Sequence, residues 1–100
     1  MCKIFAGQSP ERYESINRRL RLNGQSTSIR LERAFWRILD TMADKQGLTT
    51  PAFLSKLHSE VLHQHGEARN FTSFLRCACT IHLGEFDQLP DYVMPRFAAE

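Results

Sequence analysis

The chain has 100 residues, of which 42% are hydrophobic and 24% charged, and its formal net charge is +2. One small domain fits that length, and a multidomain enzyme does not. The composition is that of an ordinary globular chain, and so small a net charge excludes a protein that coats nucleic acid by bulk charge alone.

Cys2, Ile4 and Phe5 make a short apolar start, and Gly7-Gln8-Ser9-Pro10 reads as a turn. Glu11 to Ile16 is expected to form one or two helical turns. Arg18-Arg19-Leu20-Arg21-Leu22 then runs into Asn23-Gly24, the strongest short hairpin signal, because both residues tolerate φ > 0. From Ser26 to Glu32 the pattern has period two: Thr27, Ile29 and Leu31 share one face, and Ser26, Ser28, Arg30 and Glu32 the other.

The period then becomes helical. Phe35, Ile38, Leu39, Met42 and Ala43 form one stripe, opposite Arg37, Asp40, Asp44 and Lys45, and Gly47 is a left-handed cap candidate. A second helix is expected to open with Thr50 as N-cap and Pro51 at its first position, to bury Phe53, Leu54, Leu57 and Val61, and to close at Gly66. Asn70 can cap a third helix carrying Phe71, Phe74, Leu75, Ala78 and Ile81, which ends near Gly84. Residues 85–100 hold Pro90, Pro95, four acids and one Arg, and read as an irregular acidic tail pinned by Phe86, Tyr92 and Phe97. The chain is thus divided into an arm (1–24), a core (25–66), an added helix (67–84) and a tail (85–100).

Charge is unevenly spread. Residues 1–33 carry seven cations and three anions, and residues 34–100 six cations and eight anions. Ten of the thirteen cations are Arg, whose planar, multi-donor head suits phosphates and guanine edges better than the point charge of Lys. Cys2, Cys77 and Cys79 have no framework spacing, and no apolar run is long enough for a signal peptide or a membrane span. A soluble, cytoplasmic chain with reduced thiols is expected.

A short strand, a helix, a glycine turn and a second helix opening with Thr-Thr resemble the ribbon-helix-helix fold. The residues that carry the likeness are Ser26-Thr27-Ser28-Ile29-Arg30-Leu31-Glu32, Phe35, Leu39-Asp40-Thr41-Met42-Ala43 and Gly47-Leu48-Thr49-Thr50-Pro51-Ala52-Phe53-Leu54. This stretch is similar to the plasmid copy-number and toxin–antitoxin repressors. Met1-Cys2, with Ile29 to Glu32 and Phe35-Trp36, also resembles a subgroup of short bacterial ribbon-helix-helix proteins.

The resemblance implies a mainly α fold with a short β-ribbon: a dimeric ribbon-helix-helix with an N-terminal hairpin strand and an added third helix. It implies a homodimer whose strands pair between chains and enter the major groove of double-stranded DNA. Ser26, Ser28 and Arg30 would then face DNA, and Ile29 and Leu31 would seal the dimer core. Thr49 and Thr50, at the positive end of the second helix, would hold a phosphate together with Arg33. Pro51 removes one donor there.

Arg18, Arg19 and Arg21 either bind phosphates or act as edge-strand charge that blocks aggregation. If Arg18–Leu22 pairs with Ser26–Leu31, the sheet of a strand-paired dimer has four strands and is too broad to lie flat in the groove. Such pairing would favour the alternative function, an adaptor that binds a protein partner through the third helix and tail. On the hairpin reading, deleting residues 1–24 would leave DNA affinity unchanged or raise it.

Trp36 is expected at a dimer or third-helix contact. Cys77 and Cys79 lie about 200° apart on a helix and cannot share an ion, so buried thiols are the better account. His58, His63 and His65 are read as solvated tips. No metal, cofactor or membrane is expected. No nucleophile–base pair can be assigned and no Gly-rich phosphate loop occurs, so the chain is not read as an enzyme.

Overall fold

The computed structural model describes residues 2–84. The expected acidic tail with Phe86, Tyr92 and Phe97 lies outside the described residues. A short helix α1 (Cys2–Ala6) and a 3-10 turn (Pro10–Tyr13) lead into strands β1 (Ser15–Leu22) and β2 (Gln25–Glu32). Helices α2 (Arg33–Lys45), α3 (Thr50–His65) and α4 (Phe71–Leu83) follow.

The two strands form one antiparallel sheet closed by Asn23-Gly24. Both turn residues have positive φ, 53° and 87°, which matches the right-handed twist of the strands it joins. The register pairs Leu22 with Gln25, Leu20 with Thr27, Arg18 with Ile29 and Ile16 with Leu31. β1 thus begins at Ser15, where a helical turn was expected. Ile16, Arg18, Leu20 and Leu22 alternate, and the partner strand extends that alternation to its end.

Leu20, Leu22, Ile29 and Leu31 point inward and join Trp36, Leu39, Ala43, Phe53, Leu54, Leu75 and Cys79 in one buried cluster. α2 and α4 lie under β2 and α3 lies under β1. The arm and the core therefore share one interior, and deleting residues 1–24 would remove two core leucines. Ile29 and Leu31, expected to be buried by strand pairing between two chains, are buried within one.

The helix ends follow from local chemistry. α2 closes with the Gly47 N–H on the Asp44 carbonyl and the Leu48 N–H on the Ala43 carbonyl, both at 3.0 Å, with Gly47 left-handed. The N-cap of α3 is Thr49, not Thr50: its Oγ1 accepts from the Ala52 N–H at 3.2 Å. Pro51 accordingly sits at the second helical position. Gly66 ends α3 in the left-handed conformation. Asn70 precedes α4, but its side chain makes no cap bond.

Truncating the inner face of β2 tests this packing. Leu31→Ala is expected to cost about 2–5 kcal/mol, the range for a large-to-small change at a fully buried site. Urea unfolding measures it, and a loss under about 1 kcal/mol would mean that this position does not anchor the core.

Candidate nucleic-acid interface

The inward alternation fixes what faces water. On the other side of the hairpin stand Ser15, Asn17, Arg19 and Arg21 from β1, opposite Glu32, Arg30, Ser28 and Ser26 from β2. All but Glu32 are exposed, and none of the eight is apolar. Arg19 and Arg30 have no ion-pair partner among the described residues. Arg21 donates from Nη1 to the Gly24 carbonyl at 3.0 Å, which holds its head near the turn. Glu32 is the one acid of this face, and it leans toward α4. There it accepts from Arg76 Nε at 3.1 Å and Nη2 at 3.4 Å, an arrangement that lowers its pKa. What remains on the outside is a two-stranded ribbon with three Arg heads among small hydroxyls and one amide.

The ribbon is fastened to the helices at both ends and in the middle. Arg18 points inward, unlike Arg19 and Arg21. Its Nη1 and Nη2 donate to the two oxygens of Asp40 at 2.9 and 3.0 Å, and its guanidinium lies 4.4 Å from the centre of the Trp36 ring. Trp36 Nε1 donates to the Ile16 carbonyl at 2.9 Å. At the turn, the Asn23 N–H donates to Ser55 Oγ at 3.2 Å, and Ser59 Oγ donates to Asn23 Oδ1 at 3.1 Å. Asn23 Nδ2 lies 3.2 Å from His58 Nδ1, and Ser55 Oγ donates to the Arg21 carbonyl at 3.1 Å. These bonds orient the ribbon against α3 as a unit.

Several expected contacts have other partners. Thr49 caps α3, and Thr50 Oγ1 donates to Asp40 Oδ1 at 2.6 Å. Of the first-turn amides, Ala52 is capped, Phe53 donates to the Thr49 carbonyl at 2.9 Å, and Pro51 has none. The end of α3 that was expected to hold a phosphate therefore holds the carboxylate of Asp40. Arg33, expected to position the DNA backbone, donates from Nη2 to Glu14 Oε1 at 3.1 Å, and its buried Nε has no partner. Arg18 is separated from Arg19 and Arg21 by the thickness of the sheet. Ser26, Ser28, Arg30, Arg19 and Arg21 are brought together on one face.

Other side chains are also placed differently from expectation. Trp36 is buried, with its indole N–H on β1. His58 is half-buried against the edge of Phe71, with ring centres 5.1 Å apart, and only His63 and His65 are solvated. Cys79 is buried, and burial pushes its thiol up to about 11, whereas Cys77 is exposed. Among the described residues, no three His, Cys, Asp or Glu side chains are grouped to hold a metal ion. No described helix is long and apolar enough to cross a membrane. Asn17 and Asp40 carry roles that the sequence did not assign. Asn17 could have been found by continuing the period-two pattern back through Arg18, and Asp40 only by knowing which face of α2 meets β1.

A family model described as a ribbon-helix-helix domain matches residues 15–83. Among solved structures, the chain is similar to an uncharacterized protein from Bordetella pertussis Tohama I, with 40% identity and a TM-score of 0.79. That likeness covers 82% of this chain and 66% of the other, so the present chain spans just under two thirds of that protein's length. No curated protein matches.

The Arg18–Asp40 pair makes a pH-dependent contribution. Arg18 donation holds the Asp40 pKa below its ordinary value, with Thr50 adding to the effect against desolvation. A carboxylate depressed in the folded state stabilises fully above its unfolded pKa, and loses that contribution as pH falls through the folded one. Asp40→Asn is therefore expected to destabilise at neutral pH, with the gap to wild type closing below about pH 3. Paired urea titrations across that range check it, and a gap independent of pH would show that the carboxylate charge contributes nothing.

Proposed function

The chain belongs to the ribbon-helix-helix domain family, and from that membership we propose that it is a non-enzymatic, sequence-specific DNA-binding transcriptional regulator that works in the cytoplasm as a homodimer. The fold is one of DNA-binding regulators, whose members typically bind DNA as dimers. The observation that carries the reading is the solvent face of the hairpin, where Arg19, Arg21 and Arg30 stand among Ser26, Ser28 and Asn17. Two strands about 4.8 Å apart fit a major groove about 12 Å wide. We assign base contact to Arg30 and Ser28, with Ser26 beside them, and phosphate contact to Arg19 and Arg21. Thr49, Thr50, Arg33 and Arg18 are left to the fold, because their polar groups are engaged within the chain.

One observation favours the second reading, a protein-interaction adaptor that uses α4 and the segment beyond it. β1 already pairs with β2. Two copies joined through the free edge of β2 would make four strands, about 14 Å between the outer pair. Such a sheet cannot lie flat in the groove.

Titration of random genomic fragments at low and high salt separates the two. The regulator is expected to bind at about 50 mM salt and to weaken steeply by about 200 mM. Changing Arg19, Arg21 and Arg30 together to Ala lowers the salt slope by about three. Arg30→Ala alone weakens a selected site about tenfold or more and relaxes its sequence. Sedimentation should show a dimer at micromolar concentration. A stable dimer that binds no fragment at low salt would overturn this function in favour of the adaptor, and a folded monomer would overturn the homodimer.

A further inference from the structure

The DNA-binding reading leaves open which strands read the bases. We infer that the hairpin of a single chain is the complete groove-reading ribbon, and that Asn17 reads an adenine one base step from the guanine taken by Arg30.

The register places Asn17 directly opposite Arg30 on the solvent face. A two-residue turn makes Leu22 and Gln25 the first hydrogen-bonded pair, so the outward pairs Arg21–Ser26, Arg19–Ser28 and Asn17–Arg30 are the non-hydrogen-bonded ones. Side chains in such pairs stand closest, with Cβ atoms about 4.5–5.5 Å apart. That reach suits neighbouring base pairs, which are about 3.4 Å apart along the helix. Arg bonds guanine O6 and N7 with two donors, and Asn bonds adenine N6 and N7 with one donor and one acceptor. The pair therefore carries a code for two adjacent bases that neither strand carries alone.

A second observation singles out Asn17. Asn is disfavoured inside strands, yet it is the third of eight residues of β1, exposed, and its amide is in no hydrogen bond among the described residues. The other Asn of the hairpin, Asn23, is bonded on every polar atom of its side chain to α3. Asn17 is thus free of any structural duty that the fold shows. Arg19 and Arg21 follow on the same strand about 7 Å apart, a spacing suited to charges that track the backbone. With both strands supplied by one chain, the homodimer contact lies away from the hairpin edges, and each copy brings its own ribbon.

The inference rests on the DNA-binding reading, and selection from a random duplex pool with the full chain distinguishes the two. The expected site contains an adenine adjacent to a guanine. Asn17→Ala should relax the adenine position by roughly tenfold with an unchanged salt slope, because no charge is lost. Asn17→Gln should restore part of the preference. Arg30→Lys should relax the adjacent guanine while keeping the slope, and Arg19→Ala or Arg21→Ala should lower the slope by about one and keep the preference. If Asn17→Ala selects the wild-type site unchanged while Arg30→Ala relaxes it, the bases are read from β2 alone and the inference falls by itself. If no site is selected, and the three arginine changes leave fragment binding untouched, the DNA-binding function falls with it.

Discussion

The register of the β1–β2 hairpin is the constraint on which the rest of the molecule depends. Asn23 and Gly24, both with positive φ, close the turn in two residues, and the strand period of two then decides every side chain's face. Leu20, Leu22, Ile29 and Leu31 go in, while Arg19, Arg21, Ser26, Ser28 and Arg30 go out. A slip of one residue would turn three arginines inward and four apolar side chains outward. The core and the candidate interface are thus two sides of one choice. The bonds from Asn23 to Ser55, His58 and Ser59 support it from the helical layer.

Arg18 shows what that register demands of the interior. It falls on the inner face, between Ile16 and Leu20, where a lone cation would be unfavourable. The chain answers with an aromatic ring on one side and a carboxylate held by two bonds. The same carboxylate accepts from Thr50, so a single acid on α2 ties β1 to the start of α3. Glu32 and Arg76 link the end of β2 to α4 in the same manner, with Arg76 also over Phe35. Each pair is partly exposed and so contributes modestly to stability. Their geometric role is larger, because each fixes which helix meets which strand.

Much of this was legible in the sequence, for reasons that are local. Asn-Gly announced the turn, the alternation from Ser26 to Glu32 announced β2, and the helical stripes with Gly47 and Gly66 announced the three longer helices. What was hidden depends on contacts across the fold. Ser15 to Asn17 were read as the end of a helical turn, because only pairing with Arg30 to Glu32 makes them a strand. Arg18 was grouped with Arg19 and Arg21, because composition sees a basic run where the pleat divides it. Thr49 and Thr50 looked available for a phosphate because nothing nearby in sequence reveals that Asp40 stands beside them. Ile29 and Leu31 were assigned to a dimer core because the apolar face of one strand does not reveal that its own neighbour covers it.

The placement of Asp40 also bears on how a protein of this family can hold DNA. The start of a helix attracts anions through its free amides and its dipole. Here that place is taken by an acid of the same chain, whose charge Arg18 already balances, and the nearby amides are capped, bonded or missing at Pro51. A phosphate would meet a filled site and a like charge. The electrostatic attraction must then come from cations that the fold leaves outside. Those are the arginines of the ribbon: Arg19 and Arg21 lie on β1, the strand that supplies Arg18, and Arg30 lies on β2. The residue that turns inward from that run displaces the helix-end site, and the residues that turn outward take over its work. The extra strand is therefore more than a cover for the edge of β2. It moves the basic surface from the helix end to the hairpin, which makes the hairpin the part of the molecule best suited to a groove.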